Sequence, residues 1–264
     1  MTIFQAIIIA IIEGLTEFLP ISSTAHMHFA NPLLGVQTSA FTNMFEVVIQ
    51  FAAILSVVVI FYKKFFDFKR TSFYLKLIIA VIPALIVGAI LKNYIDAVLN
   101  NLVFIACIMI GGGILLLFID KLFKTNNIDD EKEISLPKAF VIGCFQCFSI
   151  LLPGLSRSAA TIIGGMQQKL TRTLAAEFSF FLAVPTMFAA SVKSFWDVYK
   201  EHPDTLVSSN ISILAIGAIV SFIVALIAVK SFIGYLQKHG FKVFGIYRII
   251  LGIVILILAA KGIL

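Results

Sequence analysis

The chain has 264 residues, 60% of them hydrophobic and only 13% charged, with a mean hydropathy of +1.05. That much apolar surface excludes a soluble globular domain and predicts an all-α polytopic membrane protein, and the long unbroken apolar runs argue against an alternating β-barrel pattern. The net charge of +6 is read as the Lys/Arg excess of cytoplasmic loops; with no basic stripe interleaved with aromatics, no nucleic-acid partner is expected.

In chain order, the first apolar stretch covers residues 2–19. It begins Met1-Thr2-Ile3-Phe4-Gln5, with neither a basic n-region nor a small-residue cleavage pattern, so it is expected to be retained. It carries Glu13 and Glu17 and runs into Pro20 and the polar run Ser22-Ser23-Thr24-Ala25-His26. Spans are predicted over 45–62, 75–91 and 102–120. A second short apolar stretch, 137–152, breaks at Pro153 and leads into Gly154-Leu155-Ser156-Arg157-Ser158-Ala159-Ala160-Thr161. Spans over 175–195, 211–229 and 243–260 follow.

Each short stretch is a half-length helix broken at proline, the pattern of a re-entrant pair. Irregular backbone is tolerated at membrane depth only where protein or a wet cavity covers it. Leu19-Pro20-Ile21-Ser22-Ser23-Thr24 is echoed by Leu152-Pro153-Gly154-Leu155-Ser156-Arg157-Ser158, and Phe45-Glu46 by Ala176-Glu177, both at an interval of about 130 residues. The sequence therefore predicts one integral membrane domain over 1–264, built from halves 1–125 and 135–264. Each half holds a re-entrant helix pair and three spans, giving six transmembrane helices plus two re-entrant pairs. Three spans per half is odd, so the second half enters inverted, and the broken helices should meet at the midplane.

Lys63-Lys64 with Lys69-Arg70, the four lysines of 121–138, and Lys169, Arg172, Lys230, Lys238 and Lys242 are assigned to the cytoplasm, and the loop Asp197 to Asp204 to the outside. Asp129-Asp130-Glu131-Lys132-Glu133 is expected to be a solvated linker between halves. Cys144 and Cys147 form a lone CxxC in an apolar helix and read as packing residues one turn apart.

Ionisable groups inside apolar segments are retained when they face a cavity and act there. Glu13 and Glu17 share a helix face. Two close carboxylates repel in low dielectric and call for a divalent cation, an arginine or a shared proton. A structural ion-pair network is the plain alternative. The hydroxyls after Pro20 suit a helix cap, which accounts for one of them. His26 can reach the Ser23 hydroxyl if the segment is helical, the minimal arrangement of an activated nucleophile. His28 has weaker company and is read as interfacial. The run from Pro153 to Thr161 reads as a turn opening a helix, where N–H groups, hydroxyls and the Arg157 guanidinium converge on an anion. No Walker motif or GxGxxG is present, which argues against nucleotide use. Acids beside a phosphate site, with a serine and a histidine, predict intramembrane phosphate chemistry on a lipid-tailed substrate.

These runs resemble the signature of the bacterial undecaprenyl-pyrophosphate phosphatase family of the bacitracin-resistance type. The matching residues are Glu13-Gly14-x-Thr16-Glu17-Phe18-Leu19-Pro20-x-Ser22-Ser23-Thr24-x-His26, Phe45-Glu46-Val47-Val48-Ile49-Gln50, and Pro153-Gly154-x-Ser156-Arg157-Ser158-x-x-Thr161. Phe178-Ser179-Phe180 through Pro185 and Phe244-Gly245-Ile246-Tyr247-Arg248 complete the set. Ala159 departs from the family's common glycine. The resemblance implies hydrolysis of undecaprenyl pyrophosphate to undecaprenyl phosphate and inorganic phosphate, recycling the carrier for cell-wall synthesis. It also implies a divalent cation, Mg²⁺ or Ca²⁺, and a multi-pass protein of the bacterial cytoplasmic membrane whose site opens to the outer face.

On that footing Glu13 and Glu17 are expected to hold the metal, and Ser23 to attack the terminal phosphorus with His26 as base. Arg157 would stabilise the transferring phosphoryl. Ser22, Thr24, Ser156, Ser158, Thr161 and Arg248 would bind the substrate. A water nucleophile, with His26 or a glutamate as base, is the competing assignment. An inverted-repeat transporter or flippase for a phosphorylated lipid is the competing function. The sequence leaves a homodimer open.

Overall fold

The computed structural model describes residues 1–99, 101–205 and 207–263. Among them the chain is all helix and loop, with a single isolated bridge between Ile128 and Leu170. Helix α1 (Ile3–Thr16) opens on a capping box: the Gln5 N–H donates to the Thr2 hydroxyl, and the Thr2 N–H donates to the Gln5 side chain. A short α2 (Ser23–Leu33) follows, then α3 (Ala40–Ile60), α4 (Tyr62–Phe65), α5 (Thr71–Ile90), α6 (Lys92–Leu99) and α7 (Leu102–Leu122). The second half runs through α8 (Leu136–Leu151), α9 (Arg157–Gln167), α10 (Arg172–Glu201), α11 (Ser208–Lys238) and α12 (Lys242–Ala260).

Six helices, α3, α5, α7, α10, α11 and α12, are long and apolar enough to cross a bilayer, and they mark a multi-pass membrane protein. They sit on the six predicted spans. Two of them reach well beyond their apolar windows: α10 has 30 residues and α11 has 31. The extra turns interleave charged and polar residues with apolar ones such as Phe232 and Leu236, so they fall outside the continuous apolar runs. At the end of α10 they are held by an i,i+4 pair, Lys193 Nζ to Asp197 Oδ2 at 2.7 Å.

Helix α1 packs on α11, which packs on α3; α8 packs on α5; α3 and α10 meet at the centre; α7 pairs with α12. Small residues permit the close approaches. A Cβ on Gly14 of α1 would stand 2.6 Å from the Ser221 carbonyl of α11, and one on Gly143 of α8 would collide with the Ala80 carbonyl of α5. The main core surrounds Phe178, Phe180 and Phe181 of α10, with Phe18, Phe73 and Phe232 packed against them.

The loops grouped as basic in the sequence collect at one end. Lys64 pairs with Glu177 at 2.9 Å and Glu131 at 3.5 Å, Arg70 pairs with Glu131, and Arg172 pairs with Asp120 at 2.7 Å. The stretch 129–133 is exposed except at half-buried Glu131, as expected of a solvated linker, but it is pinned at that residue. Three basic side chains hold it, because Lys76 also donates to the Glu131 carbonyl at 2.7 Å.

Candidate active site

The two proline breaks are built alike. After α1 the chain turns through Phe18–Ile21, and Ser22 takes φ +71°. After α8 it turns through Gly154 at φ +98°, and Ser156 takes φ +77°. A left-handed serine is unfavourable backbone, which persists where the surroundings over-determine it. Here each serine hydroxyl caps the next helix, Ser22 accepting from the Ala25 N–H at 3.4 Å and Ser156 from the Ala159 N–H at 3.2 Å. The capping role thus goes to Ser22 and Ser156. Both breaks present a helix N-terminus whose first-turn N–H groups lack intrahelical acceptors, a setting that favours anions.

Glu17 joins the two breaks. Its Oε1 accepts from Arg157 Nη2 at 2.6 Å, and its Oε2 accepts from the Ser23 hydroxyl at 2.6 Å. Glu17 is 7% exposed and the Arg157 side chain 13%. Ser23 and Arg157, from opposite halves, therefore converge on one carboxylate. Arg157 also directs Nη1 toward the Ser179 carbonyl at 3.5 Å. One turn before Glu17, Glu13 is fully buried; no donor among the described residues reaches its ionised carboxylate, and it lies close enough to the Glu17 carboxyl to share a proton with it. It faces the charges of Glu17, Glu46 and Arg157.

His26 is placed differently from the expectation. The segment after Pro20 is helical, yet the imidazole turns away from Ser23. Nδ1 lies 2.7 Å from the Ser22 carbonyl, and Nε2 lies 2.8 Å from the Tyr247 hydroxyl. A carbonyl only accepts, so Nδ1 carries a proton; in the neutral ring Nε2 then has the lone pair and accepts from the Tyr247 hydroxyl. The partner of Ser23 is Glu17, not His26. Thr24 is half-buried on α2 beside them, and its carbonyl lies 3.0 Å from His28 Nδ1.

Three residues expected to contact substrate are engaged by the protein itself. Arg248 of α12 is fully buried. It donates from Nη1 to the carbonyls of Pro20 (3.0 Å) and Leu155 (2.7 Å), from Nη2 to Gly154 (2.8 Å) and from Nε to Met109 (3.2 Å). One guanidinium thus ties both breaks together, and α7 makes room for it at Gly112, where a Cβ would strike the guanidinium. Ser158 donates to the Phe18 carbonyl at 2.9 Å, a second tie between the breaks. Thr161 is 2.6 Å from the Ser179 hydroxyl and donates to the Arg157 carbonyl at 2.9 Å.

Two residues near the site escaped the sequence reading of roles. Glu46 of α3 is 8% exposed and accepts from Asn31 Nδ2 at 2.6 Å; an acid inside an apolar span was the available signal. Tyr247 stood beside Arg248 in a matched run, with nothing in the spacing to link it to α2.

No group of three or more His, Cys, Asp or Glu side chains suited to a metal ion occurs among the described residues. The chain's contribution to a divalent cation would be the carboxylates of Glu13 and Glu17. Two carboxylates completed by phosphate oxygens and water is a usual donor set for Mg²⁺, and the Glu13 oxygens, reached by no donor among the described residues, fit it.

The family model for bacitracin resistance protein BacA matches residues 6–254. An undecaprenyl-diphosphatase of Porphyromonas gingivalis is 49% identical over all of this chain and 99% of its own length. That of Flavobacterium psychrophilum is 53% identical over 98% of this chain and 96% of its own length. That of Bdellovibrio bacteriovorus is 43% identical over 99% and 98%. With that coverage, and with the Glu17, Ser23 and Arg157 motifs meeting in one site, the chain belongs to the bacitracin resistance protein BacA family.

Proposed function

We propose that this protein is an undecaprenyl-diphosphatase of the bacterial cytoplasmic membrane. It removes the terminal phosphate of undecaprenyl pyrophosphate and returns undecaprenyl phosphate to cell-wall synthesis. The relatives carry that name over nearly full length. The observation that carries the reading is the Glu17 carboxylate, held between Ser23 and Arg157 where two helix N-termini meet.

Arg157 and the first-turn N–H groups of α2 and α9 would bind the phosphate oxygens. The Ser23 Oγ attacks the terminal phosphorus, and its proton passes to Glu17 Oε2. The bond to the bridging oxygen breaks, and undecaprenyl phosphate leaves with the electron pair. Water then cleaves the phosphoserine. Glu17 replaces His26 as the base in this scheme because it already accepts the serine hydrogen bond. Glu13 and Glu17 would hold Mg²⁺ or Ca²⁺, which when bound offsets the charge of the pyrophosphate. Arg248 and Ser158 keep the breaks in register.

Re-entrant pairs in an inverted repeat fit the packing. Helices α1 and α8, with 14 and 16 residues, fall short of the roughly 20 needed to span. Helix α1 packs on α2 and α11, as α8 packs on α9 and α5; exchanging the halves exchanges these partners. The basic end fits the cytoplasm, with the site opening toward the outer face. Broken helices also suit a transporter. That reading is not favoured, because a carrier has no need of a serine held against a carboxylate and the relatives are named as hydrolases.

Phosphate release from undecaprenyl pyrophosphate by the detergent-purified protein tests the proposal. Release that stops on chelation and returns with Mg²⁺ or Ca²⁺ supports it. No release by folded protein with metal present overturns it.

A further inference from the structure

Helix α12 reaches the two breaks with consecutive side chains. Arg248 ties their carbonyls, and Tyr247 goes to His26. The Tyr247 hydroxyl stands 2.8 Å from Nε2, and the two rings lie in parallel planes with centroids 5.6 Å apart. On its other edge the imidazole is held by the Ser22 carbonyl at 2.7 Å from Nδ1. The carbonyl fixes a proton on Nδ1; in the neutral ring Nε2 then carries the lone pair, and a donor must sit against it. Tyr247 supplies that donor from the far end of the sequence, 221 residues away. The tyrosine is 42% exposed, so burial alone does not hold the ring there. Among the described residues its hydroxyl has no other hydrogen-bond partner.

We propose that Tyr247 is a positioning residue for the phosphatase reaction: its hydroxyl, together with the Ser22 carbonyl, locks His26 in the Nδ1–H tautomer and so pins the left-handed Ser22 turn that presents Ser23 to Glu17. This rests on the proposed function and on His26 belonging to its site. The tyrosine acts through the imidazole and does not touch Ser23, Glu17 or Arg157. Its effect therefore exists only while His26 is present. The same helix that sets the register of the two breaks through Arg248 sets the orientation of the histidine through Tyr247.

Tyr247→Phe keeps the ring and removes the hydroxyl. It is expected to lower kcat about tenfold, the scale of one neutral hydrogen bond, with KM within about twofold of wild type. In a His26→Ala background the same substitution is expected to cost nothing further, the signature of two residues acting as a unit. The chain has four histidines, so ¹⁵N-histidine NMR of the full-length protein is tractable, with the His26 signal assigned by its loss in His26→Ala. The expected spectrum has a protonated Nδ1 and a hydrogen-bonded, unprotonated Nε2, the latter moving toward its free value in Tyr247→Phe. Wild-type kcat in Tyr247→Phe, or a full additional loss in the His26→Ala background, overturns the proposal. Full activity in His26→Ala removes His26 from the support of the site and this proposal with it. An impaired His26→Ala beside an unimpaired Tyr247→Phe overturns the tyrosine's role alone.

Discussion

Glu17 and Arg157 are 140 residues apart in the chain and 2.6 Å apart in space. Each lies at a break in an apolar helix, and their contact brings the two breaks together. Breaking a buried ion pair from one side leaves an uncompensated charge, at about 3–5 kcal/mol. Arg157→Ala should therefore lower the thermal midpoint as well as phosphate release. Glu17→Gln/Arg157→Ala should recover part of the midpoint and none of the activity. A double variant no more stable than Arg157→Ala would show that the pair does not hold the breaks.

Ser23 is expected to be the nucleophile. Ser23→Ala should then abolish most turnover, and a phosphoserine should be trappable by rapid acid quench of the wild type. If water attacks and Ser23 only donates to phosphate, the variant should keep activity reduced roughly ten- to a hundredfold, from loss of about 1.5–3 kcal/mol. Mass spectrometry of the quenched protein separates the two.

Glu13 is the expected cation ligand, with no donor among the described residues to hold its ionised carboxylate. Glu13→Gln should raise the divalent-ion concentration needed for half-maximal phosphate release. In EDTA the same variant should unfold at or above the wild-type temperature, because an amide tolerates burial without a counter-charge better than a carboxylate. Unchanged ion dependence would remove Glu13 from the metal site.

Gly112 tests the Arg248 tie without touching the guanidinium chemistry. Gly112→Ala places a methyl against Arg248, which should withdraw donors from the Pro20, Gly154 and Leu155 carbonyls. We expect a lower thermal midpoint and a lower kcat, read by differential scanning fluorimetry and phosphate release. Wild-type values in both would mean that the breaks hold their register without this clamp.

The spans and both breaks were legible in the sequence because apolar run length and proline position are local signals. The ends of α10 and α11 were not, since helix continues where charged and polar residues interrupt the apolar run. Within the site, the sequence narrowed the residues but not their pairings. Ser23 sits within reach of both a carboxylate before the break and a histidine after it, and only the turn through Phe18–Ile21 decides for Glu17. Arg248 read as a ligand for substrate because an arginine at membrane depth usually serves function. Backbone carbonyls freed by two irregular turns take its donors instead. Tyr247 was illegible, since nothing local to α12 announces contact with α2.

We infer that the Glu17 carboxylate makes one phosphate site from the two breaks. The most direct test is the single-turnover rate of phosphate release from undecaprenyl pyrophosphate by purified Glu17→Gln, with helical content and thermal midpoint checked on the same sample. The rate is predicted to fall by about a hundredfold or more while the fold persists; a folded Glu17→Gln turning over at the wild-type rate would contradict the account.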